Sequence, residues 1–89
     1  MSVTDNPARS RYELDLAGEV AFATYRLGPG EVVIPYTEVP RHLRGQGIGS
    51  ALVRGVLEDI RAKGLKVVPR CGFVAAFIRD NPEFRDLLK

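Results

Sequence analysis

Three glycines within five residues, Gly45, Gly47 and Gly49, stand between a run rich in β-branched residues and an apolar stripe of helical period. In a helix interior each glycine is worse than alanine by roughly 1 kcal/mol, so such a cluster where a helix must start points to a backbone that approaches something closely. The first turn of a helix offers unpartnered N–H groups and the positive end of the helix dipole, which makes a phosphate-bearing ligand the natural occupant. Two common phosphate loops fail on spacing. The P-loop requires a lysine and then Ser or Thr after its last glycine, whereas Gly49 is followed by Ser50 and Ala51. The dinucleotide fingerprint requires a third glycine where Ser50 stands.

The flanking patterns define what the glycines connect. Arg11 to Leu16 alternates charged and apolar residues, the period of a half-buried strand, and Ala17 and Gly18 supply a turn. A second strand runs from Glu19 to about Leu27, and after Gly28, Pro29 and Gly30 a third runs from Glu31 to Val39. Three consecutive strands with short turns predict an antiparallel meander. Pro35 lies inside the third strand and cannot donate to the ladder, which implies an edge, a bulge or a local parting of strands. After Pro40 the period becomes helical: Gly49, Leu52, Val53, Val56, Leu57 and Ile60 share one face of a helix reaching about Lys63, with Gly64 as its left-handed cap. Leu65 to Pro69 then reads as a short buried strand. So short a return predicts a parallel β-α-β crossover, hence a mixed α/β (α+β) fold with a mostly antiparallel sheet and flanking helices. Phe73, Val74, Phe77 and Ile78 give a second helical stripe, and Asn81 as N-cap before Pro82 starts a last short helix through Leu88.

The 89 residues suit one domain near the lower size limit for a self-sufficient core, as a monomer or small homo-oligomer. Residues 1–10 are polar and read as a flexible leader, with residues 11–89 as the domain. No apolar run approaches the roughly 20 residues of a membrane span. One cysteine, Cys71, and one histidine, His42, leave no disulfide framework and no metal set, so a reducing cytoplasm fits best. Residues 1–40 carry a net charge of −3 and residues 41–70 a net charge of +5. That basic segment has no aromatic residues interleaved with its charges, which argues against nucleic acid. It reads as a solvated face or as an anion-binding surface.

Arg44, Gly45, Gln46, Gly47, Ile48 and Gly49 resemble the acetyl-CoA signature of the GNAT N-acetyltransferases, an Arg or Gln, two variable residues, Gly, one variable residue, and Gly or Ala. The likeness runs from about Asn6 to Leu88. It includes Thr37-Glu38-Val39-Pro40 before the glycines, Leu65 to Pro69, Cys71, Phe73 and Val74, and Asn81 to Phe84. The whole pattern is similar to small single-domain GNAT-like proteins with a cysteine after the fifth main strand. The resemblance implies a splayed strand pair that receives the acyl arm of acetyl-CoA, the acyl donor, and transfer to an amine. Arg44, Gly45, Gln46, Gly47, Ile48 and Gly49 would grip the pyrophosphate with Ser50 beside the cofactor, the Val39 amide would polarise the thioester, and Phe73 would be core or a wall of the acyl arm.

The residues suited to the chemistry are few. Cys71 follows the second strand of the cleft beside Arg70, a cation that would lower its pKa, and it serves as nucleophile, acid or simple packing. Glu38 is suited to take the amine proton, or is an exposed strand-end carboxylate. Three positions depart from the small group: Tyr36 where a histidine is frequent, Gly72 where a proline is, and Phe84 where a tyrosine would serve as acid. The last departure leaves open a non-catalytic CoA or acyl-CoA binding or sensing module. Only Ala17 and Gly18 separate the first two strands, so the acceptor side is expected to be open, which suits a peptide or protein amine.

Overall fold

The computed structural model describes residues 2–89. Five strands form one sheet in chain order: β1 (Val3–Asn6), β2 (Arg11–Leu16), β3 (Glu19–Gly28), β4 (Glu31–Glu38) and β5 (Lys66–Pro69). The first four are antiparallel and β5 is parallel to β4, reached through helix α1 (Ile48–Ala62). A second helix, α2 (Gly72–Asp80), follows β5. The expected meander, crossover and mixed sheet are all present, and the period rules that predict them also fix which side carries the core. Tyr12, Leu14, Ala21, Ala23, Val32 and Ile34 form the buried sheet face, against Leu52, Val53, Val56, Leu57 and Ile60 of α1. Each leucine, isoleucine or valine among them contributes roughly 1.5–3 kcal/mol when fully buried. α2 also packs on α1 and β5, so Phe22, Thr24, Tyr36 and Glu38 on the opposite face of the sheet have no helix over them.

The cap of α1 forms as expected. Gly64 is left-handed at φ 69°, and the amide of Leu65 donates to Ile60 O at 3.1 Å while that of Gly64 donates to Arg61 O at 3.0 Å.

Two expectations are corrected. The segment read as a leader contains β1, which pairs with β2 from Val3↔Leu14 to Asn6↔Arg11. A polar edge strand holds here because its side chains find distant partners. Asp5 accepts from Lys63 Nζ at 2.9 Å and from Tyr25 Oη at 2.6 Å, and Val3 packs where Gly55 of α1 has no side chain. The last helix, expected to be capped by Asn81, is a 3₁₀ segment, Pro82–Leu87, without a side-chain cap. Asn81 instead points back, its Nδ2 donating to Phe77 O at 2.8 Å, which satisfies a carbonyl at the end of α2.

Pro35 marks both a bulge and a parting. Between Tyr36↔Thr24 and Val33↔Arg26, β4 places Ile34 and Pro35 opposite Tyr25 alone. The extra residue flips the alternation, so Thr37 turns to the helix side after Val32 and Ile34, while Tyr36 and Glu38 turn to the open face. Pairing with β5 ends at Ile34↔Pro69, where the chain turns into α2 and β4 continues paired with β3 only.

Candidate functional site

A cleft of about 390 Å³ opens where β4 and β5 part. Thr37 and Val39 line it from the strand, Leu43, Arg44, Gly45 and Gly47 from the turn, Ile48, Gly49 and Ser50 from the first turn of α1, and Phe73 from α2. The glycine turn is built for backbone exposure. Gly45 and Gly47 have φ of 83° and 79°, and a Cβ on either would meet nothing within 4 Å. Gly47 is the N-cap of α1, with no side-chain cap and no acidic residue in the first turn. The amides that begin α1 therefore face the cleft with no protein acceptor of their own, and the positive helix end is not offset by a carboxylate. These residues fit a pyrophosphate. At Gly49 the constraint is different: a Cβ would lie 2.9 Å from Phe73 Cζ, so the missing side chain lets the aromatic ring cross from α2 to α1. Phe73, part of the apolar stripe in sequence, is 46% exposed and walls the cleft.

Of the residues singled out from sequence, Val39, Arg44, Gly45, Gly47, Ile48, Gly49, Ser50 and Phe73 come together around this cleft, while Gln46 lies exposed in the turn and does not line it. Cys71 sits just behind the lining, its Sγ 3.6 Å from Thr37 Oγ1. It occupies the N-cap position of α2 and its amide donates to Ile34 O at 2.9 Å. Burial pushes the thiol up, but hydrogen bonding from Thr37 Oγ1 and from the amides of Val74, Phe73 and Thr37 together outweighs it and holds the thiol below its ordinary range. The sulfur does not make a regular cap hydrogen bond, so the amides act through their direction and proximity. The cause expected from sequence, Arg70, is not among the main groups acting on the thiol. Glu38 points to the open face, where its Oε1 accepts from the Tyr36 hydroxyl and its Oε2 is 3.6 Å from Arg44. That carboxylate raises the Tyr36 phenol above its usual range, mainly through the hydrogen bond.

Thr37 and Leu43 are lining residues that pattern reading passes over. The signal for Thr37 is Pro35, whose bulge shifts the alternation by one. Most of the basic segment has structural partners: Arg54 reaches Asn81 and Glu83, Arg61 pairs with Asp86, and Lys63 pairs with Asp5 and Asp59. Phe84 is buried beside Phe77, ring centroids 6.0 Å apart, with Arg54 and Arg61 over its ring. His42 pairs with Glu19 at 2.6 Å, outside the cleft.

A mixed five-stranded sheet whose parallel pair parts beside a glycine-led helix start defines a GNAT-like fold. Residues 11–87 match the GCN5-related N-acetyl-transferase family, and the chain belongs to that family of N-acetyltransferases. The NMR structure of a GCN5-like protein from Staphylococcus aureus superposes with a TM-score of 0.75 at 25% identity, covering 99% of this chain and 87% of that one. Over 56 residues, 63% of this chain, it is 29% identical to Protein NATD1 of Xenopus tropicalis and 30% identical to Protein NATD1 of Bos taurus. The chain spans about half the length of these curated relatives, 51% and 50% respectively. Among the described residues no helix is long and apolar enough to cross a membrane, and no cluster of metal-ligating side chains occurs.

Proposed function

We propose that the protein moves an acetyl group from acetyl-CoA to an amine on a peptide or protein, in a reducing, cytoplasmic setting where Cys71 stays a thiol. The observation that carries this reading is the uncapped start of α1, led by the left-handed Gly45 and Gly47 and opening into a cleft lined by Thr37, with Cys71 just behind it. Acetyl-CoA would supply the activated acyl thioester. The amides of Ile48, Gly49 and Ser50, with Arg44, would hold its pyrophosphate, and Val39, Leu43 and Phe73 would flank the arm. Cys71 is surrounded by groups that favour its anion, which supports a nucleophilic role over that of a proton donor. Holding donor and acceptor together supplies much of the acceleration, so few further side chains are needed. The uncovered face of β3 and β4 supports an extended acceptor over an enclosed metabolite.

One observation favours a second reading, a CoA-binding module without turnover: Phe84 has no hydroxyl and is 4% exposed in the core. Acetyl-CoA consumption with peptide, polyamine and amino-acid amines separates the two. The transferase reading expects consumption above hydrolysis with at least one peptide amine; CoA binding without consumption by any amine favours the module, and no CoA binding sinks both.

A further inference from the structure

Arg44 touches both faces of the site. It lines the cleft, its Nε donates to Val39 O at 3.0 Å, and its terminal nitrogen lies 3.6 Å from Glu38 Oε2 on the opposite face of β4. The other oxygen of Glu38 takes the Tyr36 hydroxyl. At 3.6 Å the guanidinium and carboxylate form a loose ion pair, short of a good hydrogen bond, and both groups are accessible, with side-chain exposures of 57% for Arg44 and 35% for Glu38. A pyrophosphate offers the same guanidinium more charge and two-pronged geometry.

We propose that Arg44 is a positioning residue shared between the two faces: it pairs with Glu38 when the cleft is empty and is drawn to the donor's pyrophosphate when the cleft fills. Release of Arg44 leaves Glu38 anchored only by Tyr36, with one oxygen free toward the open face. The freed carboxylate faces the open side of the sheet beside the Tyr36 ring, a place for a cationic group, while the Phe22 ring 6.2 Å away already carries the Arg11 guanidinium 4.4 Å from its centroid. This inference rests on the reading of the cleft as a CoA site.

Competition for one guanidinium has a sign that a structural role does not share. Glu38→Gln releases Arg44 in advance, so CoA should bind more tightly to the variant than to the wild type, by about two- to fivefold for an exposed pair. Removal of a negative charge would also relieve direct repulsion, and the double variant separates the two causes. If Arg44 mediates the effect, Glu38→Gln has no effect on CoA affinity in an Arg44→Ala background. Arg44→Lys, which keeps the charge, should preserve the tightening. Calorimetry with CoA on the four proteins of the cycle decides the matter. Equal affinity of wild type and Glu38→Gln, or an equal gain in the Arg44→Ala background, overturns the coupling while the CoA site stands. Absence of CoA binding by the wild-type protein overturns both.

Discussion

The hydroxyl of Thr37 lies 3.6 Å from the sulfur of Cys71, across the point where β4 and β5 stop pairing. Thr37 would not reach this position without the bulge at Ile34 and Pro35, which turns it to the helix side. The contact joins the strand that lines the cleft to the first residue of the α2 cap and favours the thiolate. Thr37→Val keeps the shape and removes the hydroxyl, so the thiol pKa should rise. Alkylation by iodoacetamide at neutral pH should slow, with its pH midpoint moving upward. An unchanged midpoint would assign the lowered pKa to the backbone amides of Thr37, Phe73 and Val74 alone. Cys71→Ala should leave the fold intact and lower kcat by roughly 100-fold or more if the sulfur reacts.

The glycine turn separates strain from binding. Gly47 and Gly64 both have positive φ, and a Cβ at either meets nothing within 4 Å, but only Gly47 faces the cleft. Alanine at each should therefore cost a similar 1–2 kcal/mol, about the penalty of a left-handed conformation for a residue with a side chain. The two should part on ligand affinity. Gly47→Glu should abolish CoA binding in a folded protein, because its carboxylate projects where the phosphate would sit, whereas Gly64→Ala should bind normally. Calorimetry alongside thermal melts reads both effects, and a folded Gly47→Glu protein with normal CoA affinity would remove the phosphate site from this turn.

The same glycines explain what was legible in the sequence. Their cost at a helix start announces the exposed turn that lines the cleft, and the three- and four-residue spacing of Gly49, Leu52, Val53, Val56, Leu57 and Ile60, ending near Lys63, places α1 within a residue of its ends. β1 was not legible, because Val3, Thr4, Asp5 and Asn6 carry no apolar alternation; the strand is held by Lys63 and by the space at Gly55, both far along the chain. Pro35 announced a bulge or parting but not its parity. Without parity, Glu38 looks as close to the cleft as Thr37, and the structure turns them to opposite faces. The lowered Cys71 pKa was attributed to Arg70, its sequence neighbour, because a helix start two residues later contributes amides whose direction a linear reading does not give.

Phe73 and Gly49 test the wall of the cleft. A Cβ on Gly49 would come within 2.9 Å of the Phe73 ring edge, a flexible and half-exposed side chain that can move. Gly49→Ala should therefore remain folded, and even gain helix stability by up to about 1 kcal/mol, while displacing the ring and weakening CoA binding. Adding Phe73→Leu removes the clash and should recover part of the affinity. If Gly49→Ala binds CoA as the wild type does, the ring is not part of the ligand's wall.

The last prediction concerns the network that holds β1 to α1. Lys63 lies 2.9 Å from Asp5 and 2.7 Å from Asp59, and those carboxylates accept from the Tyr25 and Tyr12 hydroxyls at 2.6 Å each. Burial first, then the hydrogen bond to Asp5, pushes the Tyr25 phenol up to about 12, and burial with Asp59 raises Tyr12 further. Hydrogen bonds to Asp59 and Asp5 likewise raise Lys63. A group whose folded pKa is raised holds its proton more tightly when folded, so its contribution is complete below the unfolded value and is lost as pH rises through the folded one. For Tyr25 that window is pH 10 to about 12. On the acid side burial opposes ionisation of Asp59, but hydrogen bonds from Lys63 and Tyr12 together lower its pKa, so its contribution is present above the unfolded value of 3.8 and is lost as pH falls through the lower folded one. Tyr25→Phe should cost about 1 kcal/mol at neutral pH through the lost hydrogen bond. Above pH 10 the wild-type protein loses this advantage while the variant has none to lose, so the melting temperatures of the two proteins should converge. Melting curves from pH 7 to 11.5 that stay parallel would show that Tyr25 does not tie β3 to β1 through its proton.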